Sequence, residues 1–339
     1  MKPLPEILID LVSILSVSSI SNRPVIEYAL QYLDGSDWRA DLHCYRDGAG
    51  TEKVNLVAVT KHNGSDVPEL TLLCHTDTVP FDPAWNEAVH PVLRDGRVCG
   101  RGACDVKGFL ACVLEAVGRI DVRSLSRPLA VVLTADEEIG CQGAKYLVGK
   151  RGIKSRYMIV GEPTGLAPVR AGKGYALGEI VIQGKEAHSA FPEQGRSAIR
   201  DAARVLERLD NVATQLASRT DSHFDPLFTT LNAGLIQGGT AKNIVPGECR
   251  ITIEWRPIPD QDAAWAAALI EKELAHLARE FPGFCAELKV LRLDPAFKPS
   301  QTGDLASLLE MLTHRCSTTV AFGTEAAHLA STTSEAIVF

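Results

Sequence analysis

Three consecutive acids, Asp136, Glu137 and Glu138, close the segment PLAVVLTADEE. Adjacent carboxylates repel one another, so such a set at the end of a buried strand calls for a counter-charge. Other apolar runs end in similar residues. LLCHTDTVP carries His75 and Asp77, IVGEPTG carries Glu162, and GRGACDVKG sets Asp105 in a Gly-rich turn ahead of a helical pattern. In open α/β sheets the ligand crevice lies beyond the carboxyl ends of the strands. One imidazole and several carboxylates delivered there make a negative pocket that a divalent cation resolves. Mixed His and carboxylate donors suit zinc, with manganese or cobalt as substitutes. Each residue alone has a plainer reading: His75 as a strand-end histidine, Asp105 as a helix cap, Glu137 and Glu138 as a solvated loop, Glu162 as a turn residue before Pro163. Together, those readings need four coincidences at one kind of place.

The elements that must position these groups follow from periodicity. Residues 1–33 read as helical, 55–60 and 69–74 as strands joined by a Gly-containing turn, and 108–120 as a helix. The near-continuous apolar runs 128–135 and 157–163 read as strands buried on both faces. This alternation predicts an α/β domain with a central, mainly parallel sheet. Near residue 172 the character changes to half-exposed alternation, in the order β-α-β-β-α-β, with helices at about 197–217 and 261–280 and a last strand at 285–293. A helix and the strand AIVF then return to the first style. The expected organisation is therefore a catalytic domain of residues 1–171 plus 296–339, interrupted by a smaller α+β domain at 172–295.

Composition narrows the functional classes. The 339 residues carry a formal net charge of −7, which argues against nucleic acid or an anionic membrane surface as partner. No stretch approaches the roughly 18 apolar residues of a membrane span. The nine cysteines include no C-x-x-C pair and read as reduced core residues of a cytoplasmic protein.

HTDTVP, GRGACDVKG, TADEE, GEPT and AHSAFPEQG occur in the order seen in the di-zinc deacylase and aminoacylase family, and the chain resembles that family along essentially its whole length. The resemblance implies a zinc domain interrupted by a dimerisation domain, hence a homodimer. It implies that His75 and Glu162 bind a first zinc, Glu138 a second, and Asp105 both, with a cis Asp105–Val106 peptide. Asp77 is then the carboxylate that orients the His75 ring. Glu137 is the base that takes a proton from the attacking water and delivers it to the leaving amine. His188 is expected to reach the active site of a partner subunit and polarise the substrate carbonyl. Arg256 is expected to clamp a substrate carboxylate, and Asn243 to line the same site. Asp136 is expected to be structural, and Lys242 and Ser197 receive no role.

The reaction implied is metal-assisted hydrolysis of the amide in a small N-acyl amino acid. Glu325, in GTEAAHL, resembles members acting on N-acetyl-L-ornithine and is expected at the substrate. N-acetylcitrulline, N-succinyl-diaminopimelate, other N-acyl amino acids and dipeptides stay open as substrates, as does a catalytically silent binding protein. In the resembled family the chain continues past the strand matching AIVF to a further zinc-binding histidine and a closing helix. Neither His314 nor His328 matches that histidine. The expectation at this point is a shortened chain with at most one tight metal, a weak second site, little turnover and exposed apolar surface.

Overall fold

The computed structural model describes residues 2–33, 35–62, 67–150, 153–300 and 302–339. In chain order come α1 (Leu4–Ser13), α2 (Arg23–Leu33), β1 (Trp38–Arg46), β2 (Glu52–Thr60), β3 (Leu70–His75), the short strands β4 (Val92–Arg94) and β5 (Arg97–Cys99), α3 (Lys107–Arg119), β6 (Leu129–Thr134), α4 (Gln142–Gly149), β7 (Ser155–Val160) and β8 (Val169–Gly172). Then follow β9 (Tyr175–Gln183), α5 (Ala198–Ala217), β10 (Thr230–Gly238), β11 (Glu248–Arg256), α6 (Ala264–Glu280) and β12 (Cys285–Asp294). The chain finishes with α7 (Asp304–Thr313), β13 (Thr318–Val320), α8 (Ala326–Leu329) and β14 (Thr333–Val338). It packs as two compact units, one of Met1–Arg170, Pro299–Thr318 and Thr324–Phe339, the other of Ala171–Lys298 and Thr319–Gly323.

In the first unit the sheet runs β1-β2-β6-β3-β7-β14. Neighbours among β6, β3, β7 and β14 are parallel, whereas β1 and β2 run antiparallel. The sheet is thus mixed, with a parallel centre and an antiparallel edge. The reason is local: only residues 47–51 separate β1 from β2, too few for the crossover that parallel strands need. Every residue of β6 is buried, as its unbroken apolar run requires. One face is covered by Ile7 and Leu11 of α1, Val25 and Ile26 of α2, and Leu110 and Leu114 of α3. The expected helical stretch up to residue 33 is two helices. After α1 the chain turns extended at Ile14, and the Ser- and Val-rich segment that follows competes poorly as helix. The Gly-containing turn expected between β2 and β3 has its Gly64 outside the described residues.

The second unit follows β9-α5-β10-β11-α6-β12, with an antiparallel sheet ordered β10-β11-β9-β12. Ser197 caps α5 by accepting from the Arg200 N–H. The apolar stripe of α5 (Ala202, Val205, Leu209) and that of α6 (Ile270, Leu274) pack on Ile180, Ile251, Ile253 and Trp255. The cysteines differ from expectation. Only Cys74, Cys141 and Cys249 are buried, because an apolar neighbour in sequence does not decide which face a residue occupies. Among the described residues no helix is long and apolar enough to cross a membrane.

Candidate active site

β3 ends at His75, and its ring is almost wholly buried. The imidazole Nε2 lies 3.1 Å from Asp105 Oδ1. Glu162, just past the parallel strand β7, joins them, and one ligand atom from each of His75, Asp105 and Glu162 lies within 4.8 Å of the others. Asp105 does not cap α3, whose first turn follows Val106 without a side-chain cap. Its side chain is 50% exposed and free to face a ligand. The Asp105–Val106 peptide is cis, as the resemblance implies. Glu138 falls outside this three-residue cluster.

The electrostatics are those of an overcrowded anionic site. Burial, reinforced by the charges of Glu137, Asp105 and Glu325, holds the Glu162 carboxyl well above its ordinary range. Burial also raises Glu137, with Asp77 and Asp105 adding to the effect, and lifts Glu138 to about 7. Burial alone would lower His75, but its contacts with Asp105 and Asp77 and the charge of Glu137 outweigh this and raise it well above the usual value. Such a set binds protons or a cation in preference to remaining bare. One imidazole nitrogen and two carboxylates within reach of one point fit a divalent cation, and their donor types fit zinc.

Asp77 meets His75 through its main chain and the segment of Glu137 and Glu138 through its side chain. The His75 Nδ1 meets the main-chain oxygen of Asp77 at 3.0 Å, whereas the carboxylate is 3.6 Å away, beyond hydrogen-bonding distance. That carboxylate instead accepts from the Glu137 N–H at 3.0 Å, the Glu138 N–H at 3.3 Å and the Ser18 hydroxyl at 2.7 Å. The Cys141 thiol, at 3.5 Å, donates to Glu137 Oε1. Glu325, expected to touch substrate, is 0% exposed and accepts from the Thr134 hydroxyl at 2.7 Å. Thr134 is paired with His75 across β6 and β3, and Glu325 feels the charges of His75 and Glu137, so it is buried close to the histidine. Sequence reasoning missed this because burial of a loop glutamate leaves no mark in local polarity.

In the second unit the structure brings His188 and Asn243 together and leaves Arg256 apart. His188 bridges to Ile244, and the Asn243 carbonyl accepts from the Ser189 N–H at 3.0 Å. Both side chains are exposed. Arg256, the last residue of β11, pairs with Thr230 of β10, and its guanidinium lies 4.3 Å over the Tyr175 ring and 3.5 Å from Glu254.

A buried mixed sheet that delivers a histidine and acids from successive strand ends to one point, beside a glutamate outside the ligand cluster, defines a metal-dependent amide hydrolase. Comparison with known proteins agrees. The Peptidase dimerisation domain family matches residues 170–282, and Peptidase family M28 matches residues 55–218. An acetylornithine deacetylase of Myxococcus xanthus is 45% identical over 98% of this chain and 87% of its own length. One from Proteus mirabilis (strain HI4320) is 31% identical over 90% of this chain and 79% of its own. The crystal structure of the aminopeptidase PepT from Bacillus cereus superposes with a TM-score of 0.76 at 22% identity, covering 99% of this chain and 89% of that one. The chain belongs to the M20 peptidase family, whose members carry this dimerisation domain.

Proposed function

We propose that the protein removes the acetyl group from N-acetyl-L-ornithine, releasing ornithine and acetate. The observation that carries the chemistry is the convergence of His75, Asp105 and Glu162 beside Glu137, which feels the charges of His75, Asp77 and Asp105. The ornithine specificity is supported by the two relatives of that name. A zinc ion held by His75, Asp105 and Glu162 would supply Lewis acidity toward the acyl carbonyl and toward water. Glu138 would offer a carboxylate to a second ion, with cobalt or manganese as substitutes for zinc.

Glu137 serves as the base. Its proton affinity, raised by burial, suits a group that takes a proton from the attacking water and returns it to the leaving amine. Asp77 fixes the backbone of Glu137 and Glu138 through two N–H groups. We assign His188 and Asn243 to substrate handling across a homodimer, and Arg256 to the substrate carboxylate. The test is acetate or amine release from N-acetylornithine, N-acetylcitrulline, N-succinyl-diaminopimelate and a dipeptide, with added zinc or cobalt. The highest kcat/KM on N-acetylornithine supports the reading. Preference for another member of the panel replaces the substrate, and no hydrolysis of any overturns it.

A further inference from the structure

We propose that Lys53 is a positioning residue for Glu137, acting through Asp136; this rests on Glu137 being the base. Asp136 immediately precedes Glu137 and has a φ of 58°, a left-handed conformation that a non-glycine residue keeps only when held there. Both of its carboxylate oxygens are engaged. Oδ1 accepts from Lys53 Nζ at 2.7 Å and Oδ2 from the Tyr45 hydroxyl at 2.7 Å. The Tyr45 ring is itself stacked on Tyr146 of α4, with centroids 5.2 Å apart.

Lys53 and Asp136 side chains are each 1% exposed. The three ammonium protons are accounted for by Asp136, the Ser18 carbonyl at 2.5 Å and the Ile20 carbonyl at 3.1 Å. Ser18 closes the circuit, because its hydroxyl donates to Asp77, which holds the N–H groups of Glu137 and Glu138. The base is therefore gripped from both sides: Asp136 fixes the residue before it and Asp77 fixes its own amide. Lys53 links the two grips.

A fully buried ion pair is weak evidence for stability, since desolvating both charges offsets much of their attraction. Fixing one conformation of the catalytic loop accounts for its presence better. The displacement expected on losing Lys53 is small, but a shift of about 1 Å at a reacting group lowers turnover by up to about 100-fold.

The experiment compares Lys53→Met, Tyr45→Phe and Glu137→Gln with the wild type, on whichever acyl amino acid the wild type hydrolyses best. For Lys53→Met we expect a kcat about 10- to 100-fold lower, with KM and zinc content unchanged. Amide hydrogen exchange in 136–141 should be faster. A folded Lys53→Met protein with wild-type kcat overturns the proposal, as does a loss shared equally by KM and zinc content. Should Lys53→Met not fold, Tyr45→Phe decides: lower kcat at unchanged KM supports the proposal, and wild-type kcat overturns it. Glu137→Gln separates the two levels. If it turns over normally, the assignment of the base falls and this inference with it. If it is inactive while Lys53→Met is normal, only this inference falls.

Discussion

The carboxylate of Asp77 accepts the backbone N–H of Glu137 at 3.0 Å, across 60 residues of sequence, while the ring of the neighbouring His75 is met by the Asp77 main-chain oxygen. An acid two residues after a metal-binding histidine is naturally read as that histidine's orienter. Here the main-chain oxygen meets the ring, and the side chain accepts from the N–H groups of Glu137 and Glu138.

This distinction predicts the behaviour of Asp77→Asn. An amide of the same size cannot accept at both oxygen positions, so one of its contacts with Ser18, Glu137 or Glu138 is lost. The main-chain contact with His75 survives. We expect kcat to fall by about 10- to 100-fold while zinc affinity changes little. Zinc titration of the metal-stripped variant checks it. A comparable loss of zinc affinity would return Asp77 to the role of orienting the histidine.

Glu137 and Glu138 are adjacent yet are assigned different work. Glu137→Gln should keep its metal and lose about 10²- to 10⁴-fold in turnover, the scale of a general base. Glu138→Gln should lower metal content instead. Metal analysis alongside kinetics tests the pair; an empty site in Glu137→Gln with a full one in Glu138→Gln reverses the assignment.

The metal-stripped protein should become less stable as pH rises. Burial lifts Glu325 from 4.5 to about 8, so the fold favours its protonated form. That contribution is fully present below the unfolded value of 4.5 and is lost as pH climbs through about 8. Glu162 and His75 are also raised and act with the same sign, whereas lowered Asp77 matters only near its ordinary value of 3.8. The melting temperature of chelated protein should therefore drop between pH 5 and pH 8, and Glu325→Gln should flatten the slope. Added zinc should restore most of the loss at pH 8. A melting temperature that rises over that interval contradicts this account of the buried acids.

The strand ends were legible because unbroken apolar runs such as 129–133 stop abruptly at chemistry-bearing residues, and parallel neighbours bring such ends to one edge. The order of elements in the second unit was legible for the same reason, since period-two alternation replaces continuous runs. Hidden from the sequence were contacts between distant segments: Lys53 with Asp136, Asp77 with Glu137, Glu325 with Thr134. Each is a pair of ordinary polar residues whose local pattern permits full exposure. Only the fold, by burying them, forces each to find a partner. The antiparallel edge of the sheet was legible in principle, from the short connection at 47–51, but the apolar content of β2 masked it.

His188 supplies the last prediction. The Ala190 N–H donates to His188 Nδ1 at 3.1 Å, so that nitrogen is an acceptor and the proton of the neutral ring sits on Nε2. The ring is exposed and presents that N–H outward, a donor suited to a substrate carbonyl. If it serves a partner's active site, two inactive variants should complement. In a two-fold dimer, mixing His188→Ala with Glu137→Gln chains gives hybrids in which one site has lost both groups and the other has neither lesion. With equal amounts and free exchange, about half the dimers are hybrid and about a quarter of wild-type turnover returns. Each variant alone should stay near its own low rate. Subunit exchange is confirmed independently with chains carrying different tags. Exchange without recovery would mean that His188 serves its own chain or no active site at all.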